Sequence, residues 1–355
     1  MNVEPVFCAT LPASLAPAWG RLLEHSHRPT FQYEFDYMAA WTELLRRDWK
    51  PLILLAKEDG ALRGIVPLMY RDEKRRGVLP YRRIRFLGSE MTDFSVILAR
   101  PEDTAAVVHT SLTWLFKGGF RWERLILDDL AEGNPAIGAI EDFLNDNGIE
   151  FDLHVGRYYF VDLDQPWDAV WKETSKKFVR RNVNLARNRL SRSGNWRVEA
   201  NPDWDAQRLV GEAARIHAAR QEDLDRESLY ADAPARTFVE RLIGHNQTKG
   251  RFRSHWLMFE GQLIAYIFGF EERGIYYAWN MAFLPAHAHF YPSRFLWARL
   301  IRECHERKLR EFNMMRGESE YKPKWTKSSR GNLRFTVRRK DHVYGRFVSF
   351  LEDRV

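Results

Sequence analysis

The chain passes twice through one series of elements, and that repetition limits its fold more than any other feature. In the first half Glu34–Arg47 carries Phe35, Met38, Trp41, Leu44 and Leu45 at helical spacing. Pro51–Ala56 reads as a strand, and Glu58-Asp59-Gly60 turns it into Leu62–Tyr70. Further strands are expected at Ile84–Leu87, Phe94–Leu98, Trp122–Leu127, Ile149–Val155 and Tyr158–Leu163, with helices at Glu102–Phe116 and Pro135–Asn147. The second half opens with a basic helix, Ser175–Leu190, then strand Trp196–Ala200 and helices Trp204–Gln221 and Pro234–Asn246. Strands Ser254–Phe259, Leu263–Phe270 and Ile275–Phe283 follow, then helix Pro292–Lys308, strands Glu311–Met315 and Leu333–Val337, and a closing helix at His342–Leu351. In each half an acidic residue and a glycine (Asp59-Gly60, Glu260-Gly261) make the first hairpin of a strand triplet. We read a tandem duplication of one α+β unit, jointed at Asp164-Gln165-Pro166, with domains at residues 1–165 and 166–355.

Length and composition agree with two ordinary domains: 355 residues, 45% hydrophobic, with 23 Phe, 13 Tyr and 13 Trp to fill cores. Leu263–Phe270, among the longest apolar runs, falls well short of the roughly 18 residues that suggest a membrane span, so none is expected. Glu4 and Pro5 replace the basic start of a signal peptide. Cys8 and Cys304 are too few for a disulfide framework or a cysteine zinc site, and His287 and His289 lack a third ligand at metal spacing. The expectation is a cytoplasmic protein without a metal. No P-loop, dinucleotide-binding glycine fingerprint or nucleophile elbow is present.

Charge is concentrated. The formal net charge is +7, yet Trp171–Ala200 alone holds nine Lys and Arg against two Glu, and Tyr321–Lys340 holds eight and no acid. A charge run by default is a solvated face, and two basic segments in one half strengthen the case for an anionic ligand against that default.

Local motifs sharpen this. Arg316-Gly317-Glu318-Ser319-Glu320-Tyr321-Lys322-Pro323-Lys324-Trp325, just after a strand, resembles the G-x-x-x-Y-K-x-x-W signature of GNAT-like acyltransferases related to cellulose-biosynthesis CelD proteins. Phe86-Leu87-Gly88 with Asp93-Phe94 resembles the F-L-G…D-Y motif of their first half, and Ser175–Asn182 the basic helix opening their second. Fem-type aminoacyltransferases are similar at greater distance. The resemblance implies tandem GNAT-like (acyl-CoA N-acyltransferase) units with mixed central sheets flanked by helices. It implies that the second unit is active and the first a degenerate copy. The implied reaction moves an acyl group from acetyl-CoA, or another acyl-CoA, to an amine or hydroxyl of a sugar or exopolysaccharide precursor.

Site residues follow from the same resemblance. In such a fold two middle strands splay, so Tyr276–Phe283 should flank the thioester, with Ala282 beside the pantetheine arm. Read as a regular strand, Tyr277, Trp279 and Met281 face one way and Ala278, Asn280 and Ala282 the other. Asn280 stands open between capping and acceptor binding, and Trp279 is placed with the acceptor. The next helix should receive pyrophosphate at its N-terminus. Its approach, His289-Phe290-Tyr291-Pro292-Ser293-Arg294-Phe295, lacks the family's glycines, so Tyr291, Ser293 and Arg294 are the candidate cofactor contacts. Arg294 is equally readable as a surface arginine. Tyr321 is a candidate acid for the leaving thiolate, Lys322 for oxyanion or phosphate stabilisation, and Glu318 for the base. The alternative to these roles is that Tyr321 and Trp325, four apart, only pack the loop down while Lys322 and Lys324 face water. Arg316 and Trp325, with Lys176, Arg180 and Arg181 of the basic helix, are assigned to substrate. Two rivals remain: an aminoacyl-tRNA-dependent Fem-type transferase, and a non-enzymatic nucleic-acid-binding or scaffold protein on an inactive fold.

Overall fold

The computed structural model describes residues 1–75, 79–173, 179–317 and 319–339. The chain divides into two compact units. Unit 1 comprises Met1–Gly156 with the chain from Gly331 onward, and unit 2 is Arg157–Arg330.

Unit 1 contains β1 (Asn2–Phe7), α1 (Ala16–His25), α2 (Phe35–Leu44), β2 (Lys50–Glu58), β3 (Ala61–Arg75), β4 (Leu79–Phe86), β5 (Leu98–Ala99), α3 (Pro101–Lys117), β6 (Arg124–Ala131) and α4 (Pro135–Asp146). Strand β7 (Phe151–Asp162) begins in unit 1 and ends in unit 2. Unit 2 continues through α5 (Trp167–Glu173), α6 (Arg181–Ser193), β8 (Trp196–Ala200), α7 (Ala206–Glu222), α8 (Ala233–Thr248), β9 (Phe252–Phe259), β10 (Gln262–Glu272), β11 (Ile275–Phe283), α9 (Pro292–Glu306) and β12 (Glu311–Arg316). Strand β13 (Ser329–Arg338) returns the chain to unit 1.

Each unit is a mixed sheet. In unit 1 the order is β1-β2-β3-β4-β6-β13, and in unit 2 it is β7-β12-β11-β10-β9-β8. All neighbours are antiparallel except β4 with β6 and β11 with β12, which run parallel. The first hairpin of each triplet turns on two left-handed residues, Asp59 and Gly60 in one unit and Glu260 and Gly261 in the other. Both central residues at positive φ suit a two-residue hairpin, whose twist matches that of the strands. The α+β class expected from the sequence, with two mixed sheets of like plan flanked by helices, is the one observed.

Helix starts follow the side chains. Asp205 accepts the Arg208 N–H at the head of α7, and Asp232 the Ala235 N–H at the head of α8. α3 begins on Pro101 with Glu102 and Asp103 in its first turn and ends with Lys117, in accord with its dipole. The core of unit 1 gathers Leu52, Ile84, Phe86, Val107, Leu112, Trp122, Leu125 and Phe335. That of unit 2 gathers Val179, Ala186, Leu190, Tyr276, Leu296, Trp297, Phe312 and Trp325.

Three sequence expectations shift. Phe94–Leu98 is not a strand, since only Leu98–Ala99 pairs, on β3. Ile149–Val155 and Tyr158–Leu163 form one strand, β7, through Gly156. The alternation along β11 breaks, because Ala278 faces Gly269 and Asn280 faces Phe268, so Trp279 is an extra residue, a β-bulge. The closing helix at His342–Leu351 lies outside the described residues.

Candidate active site

The site starts from a separation of two strands. β11 and β12 pair over three positions, Ile275↔Glu311, Tyr276↔Phe312 and Tyr277↔Asn313, and no further among the described residues. Beyond Tyr277, β11 stays paired to β10 on its other side as far as Phe283. Among the described residues its edge toward β12 therefore has no strand partner over six residues, Ala278–Phe283, and the backbone groups on that edge alone can bond an extended ligand.

A cavity of about 400 Å³ lies at this opening, lined by Met281, Ala282 and Phe283 of β11, Ala288 and Tyr291–Arg294 ahead of and within α9, Trp297, Tyr321 and Trp325, and Arg220, Gln221 and Leu224 of α7 and its end. The first turn of α9 faces it. Tyr291 precedes this 15-residue helix in the left-handed conformation (φ 52°), Pro292 takes the first turn, and no side chain caps the end. Free N–H groups and the dipole make such an end attractive to an anion. The Arg294 guanidinium lies 5.1 Å from the Tyr291 ring and that of Arg189 5.5 Å from it, so two cations hold one ring at the head of α9.

On the far wall Trp297 is the hub. Its ring meets Tyr321 edge-on at 5.6 Å and Trp325 at 5.6 Å, and its Nε1 donates to the Met281 sulfur at 2.9 Å. Tyr321 is 39% exposed, and partial burial pushes its hydroxyl above the ordinary value, so it stays a protonated donor at neutral pH.

Six of the residues expected from sequence thus meet at one cavity: Ala282, Tyr291, Ser293, Arg294, Tyr321 and Trp325. Others are placed elsewhere. Lys322 is 4% exposed rather than facing water, and its Nζ donates to the carbonyls of Met315 (3.0 Å) and Arg316 (2.6 Å). It holds the turn after β12, where Met315 and Gly317 are both left-handed (φ 60° and 101°). Arg316 is half-buried at the end of β12. The Asn280 side-chain oxygen accepts the Tyr230 hydroxyl at 3.0 Å and the Tyr266 hydroxyl. Trp279 packs on Phe270, 5.6 Å between ring centres. Arg180 donates to the Trp171 carbonyl and lies over that ring, while Arg181 is exposed at the head of α6. Lys176 and Glu318 lie outside the described residues.

Sequence reasoning missed Arg220, Gln221, Leu224, Met281, Phe283 and Trp297. The first three stand in the last turn of α7 and just beyond its end. Met281 and Phe283 follow the Trp279 bulge, which shifts the alternation of β11, and Trp297 comes from α9.

The chemistry of these groups fits a thioester of coenzyme A: an open strand edge for an amide-bearing arm, a helix end with Ser293 and Arg294 for phosphate, and a protonated hydroxyl beyond. Among the described residues no cluster of His, Cys, Asp or Glu is placed to hold a metal ion, and no helix is long and apolar enough to cross a membrane.

Comparison with known proteins agrees with this geometry. Residues 177–323 match the acetyltransferase (GNAT) domain family. No curated protein matches the sequence. Among solved structures the chain is similar to FemX, with TM-score 0.61 at 11% identity over 96% of this chain and 98% of that one. It is similar to a conserved protein of unknown function from Bacteroides thetaiotaomicron (0.59, 10%, 94% and 100%) and to L-PGS from Bacillus licheniformis (0.52, 14%, 94% and 94%). At these identities the likeness is one of fold. The matched residues, 177–323, are the stretch that carries the separated strands and the head of α9.

Proposed function

We propose that unit 2 transfers an acyl group from an acyl-CoA, acetyl-CoA in the simplest case, to an amine or hydroxyl of a sugar or exopolysaccharide precursor. The observation that carries this reading is the parting of β11 from β12 directly beside the uncapped head of α9. The sugar setting rests on the resemblance of the Gly317–Trp325 motif. On this reading unit 1 is the degenerate copy, and the protein works in the cytoplasm.

Backbone groups around Ala282 hold the pantetheine arm, and Ser293, Arg294 and the α9 N–H groups take the pyrophosphate. Holding both substrates in line can lower such a barrier by about 7–11 kcal/mol, so positioning is the main contribution. The acceptor nitrogen or oxygen attacks the thioester carbon, the carbon–sulfur bond breaks, and Tyr321 gives its proton to the leaving thiolate. Glu318 takes the acceptor's proton. Lys322 is a positioning residue: its bonds to the Met315 and Arg316 carbonyls fix the turn that leads to Tyr321.

A second reading, an aminoacyl-tRNA-dependent Fem-type transferase, draws on one observation: a tyrosine in the left-handed conformation stands ahead of α9, where CoA-binding members of the fold carry glycines. Melting curves with acetyl-CoA, then with tRNA, decide between them. At one hundred times its dissociation constant a ligand adds about 2.7 kcal/mol of stability. A shift with acetyl-CoA alone supports the first reading. No shift with acetyl-CoA, and tRNA binding that falls steeply with salt, replaces it with the second.

A further inference from the structure

The cavity has a cation at each of two places and aromatic walls between them. One is the head of α9 with Arg294, which the proposed reading gives to the donor's phosphates. The other is Arg220, which comes from α7. Its guanidinium lies 4.5 Å from the centre of the Phe283 ring, and one of its nitrogens donates to Asp223, three residues on. A guanidinium has five N–H donors in a rigid fork. The ring and Asp223 therefore fix its orientation while leaving donors for a second anion. Phe283, Trp297, Tyr321 and Trp325 supply flat apolar surface, and no Asp or Glu among the described residues lines the cavity. A polycationic acceptor entering here would leave water to meet the guanidinium groups of Arg220 and Arg294, a poor exchange for a charged group. An acid would find a preorganised fork, the pairing for which arginine is best suited.

We propose that the acceptor carries an acid group, a carboxylate or a phosphate, close to the amine or hydroxyl that is acylated, and that Arg220 binds that acid. This rests on reading the cavity as the site of transfer. The aromatic walls suit a flat body, and both a sugar ring and an aromatic side chain qualify. A sugar phosphate and an aromatic amino acid share the required chemistry, an acid beside an amine.

Calorimetry on the full-length protein without donor tests this with two matched pairs and one polycation: glucosamine against glucosamine 1-phosphate, whose phosphate is on the carbon next to the amine, phenethylamine against phenylalanine, and spermidine. In at least one pair the acid-bearing compound should bind tenfold or more tightly than its partner, and that pair identifies the body as sugar or aromatic. Spermidine should not bind. Arg220→Met should bring the two members of that pair within about twofold of each other, with acetyl-CoA affinity kept. Arg220→Lys, which retains charge without the fork, should keep part of the preference and serves if the methionine variant does not fold. Equal binding within both pairs, binding of spermidine, binding of neither acid-bearing compound, or a preference that survives loss of Arg220 would overturn the proposal. Because no donor is present, failure of acetyl-CoA to bind in the separate melting experiment counts against the acyl-CoA reading and leaves this result standing.

Discussion

The two units share a sheet plan and differ in what fills the same opening. In unit 1 the parallel pair β4 and β6 joins over three positions, Arg83↔Arg124, Ile84↔Leu125 and Arg85↔Ile126, just as β11 and β12 do in unit 2. Beyond the last pair the resemblance stops. In unit 2 the chain leaves β11 to start a 15-residue helix whose head faces a cavity. In unit 1 it runs from Phe86 to Leu98 without a helix and closes back on β6, the Ser95 N–H donating to the Asp129 carbonyl at 2.7 Å. Polar side chains lock that segment: Gln32 and Asp93 exchange two hydrogen bonds (2.9 and 3.0 Å), Tyr33 donates to the Leu87 carbonyl, Asn332 to Asp129, and Arg85 to Asp128. A separated strand pair is thus not itself a site. It becomes one where a helix end and apolar walls replace a polar plug, which is why the transfer chemistry is assigned to unit 2.

The sharpest way to break this contrast is to remove the plug. Asp128 is fully buried and pairs with Arg85. Asp128→Ala leaves that guanidinium without its carboxylate, and breaking a buried pair costs about 3–5 kcal/mol. Urea unfolding should show that loss, while acetyl-CoA affinity, measured well below the transition, should stay as in the wild type. A stable variant with weakened acetyl-CoA binding would mean that unit 1 takes part in donor binding. In unit 2 the pattern should reverse. Tyr321→Phe should melt as the wild type does and lose about 100-fold in transfer from acetyl-CoA to glucosamine 1-phosphate, the size of a general-acid contribution. Burial raises the Tyr321 hydroxyl above its ordinary 10.0, so the proton it donates is retained until the pH passes 10, and the alkaline fall in wild-type rate should begin only there. A wild-type rate that already falls below pH 9, in parallel with the phenylalanine variant, would assign the acid elsewhere.

The sequence carried the sheet plan well and the site only in part. β8 and β11 fall where the sequence placed them, because a glycine stands just ahead of each and a proline just beyond it. β1 was missed because Pro5 interrupts a six-residue run, and α1 because Pro17 and Gly20 weaken its helical pattern. The Phe94–Leu98 run looked like a strand because its apolar residues are buried. They are buried under the plug rather than in a ladder. At the site, residue types pointed to Tyr321, Arg294 and Trp325, but side-chain direction did not follow from type. In the sequence Lys322 reads as a catalytic cation, with a solvent-facing one as the alternative, yet left-handed turns at Met315 and Gly317 bring two carbonyls to its ammonium.

That placement sets the next prediction. Bonds to a charged donor are worth about 1.5–3 kcal/mol each, so Lys322→Ala should loosen the turn and lower turnover at least tenfold. Because Lys322 acts through the segment carrying Tyr321, the double variant Lys322→Ala/Tyr321→Phe should be little slower than Tyr321→Phe alone. Multiplicative losses would instead give Lys322 its own contact with the reacting groups.

The smallest effect is expected at the head of α9. Unit 1 leaves β4 through Gly88, a left-handed glycine (φ 73°), whereas unit 2 approaches its helix through left-handed Tyr291. For a residue with a Cβ that conformation costs about 1–2 kcal/mol in a helix. Tyr291→Gly removes the strain and also the ring against which Arg294 and Arg189 rest, a contact worth about 0.5–1 kcal/mol per cation at exposed sites. The two changes nearly cancel in stability, and the melting temperature should barely move. Donor binding should not be neutral, because Arg294 loses the surface that aims it at the helix end: acetyl-CoA affinity should fall about three- to fivefold, or roughly 0.5–1 kcal/mol, with Tyr291→Phe as wild type. If affinity rises in the glycine variant, the ring obstructs the phosphate rather than preparing its site, and the tyrosine at this position becomes an argument for a donor other than CoA.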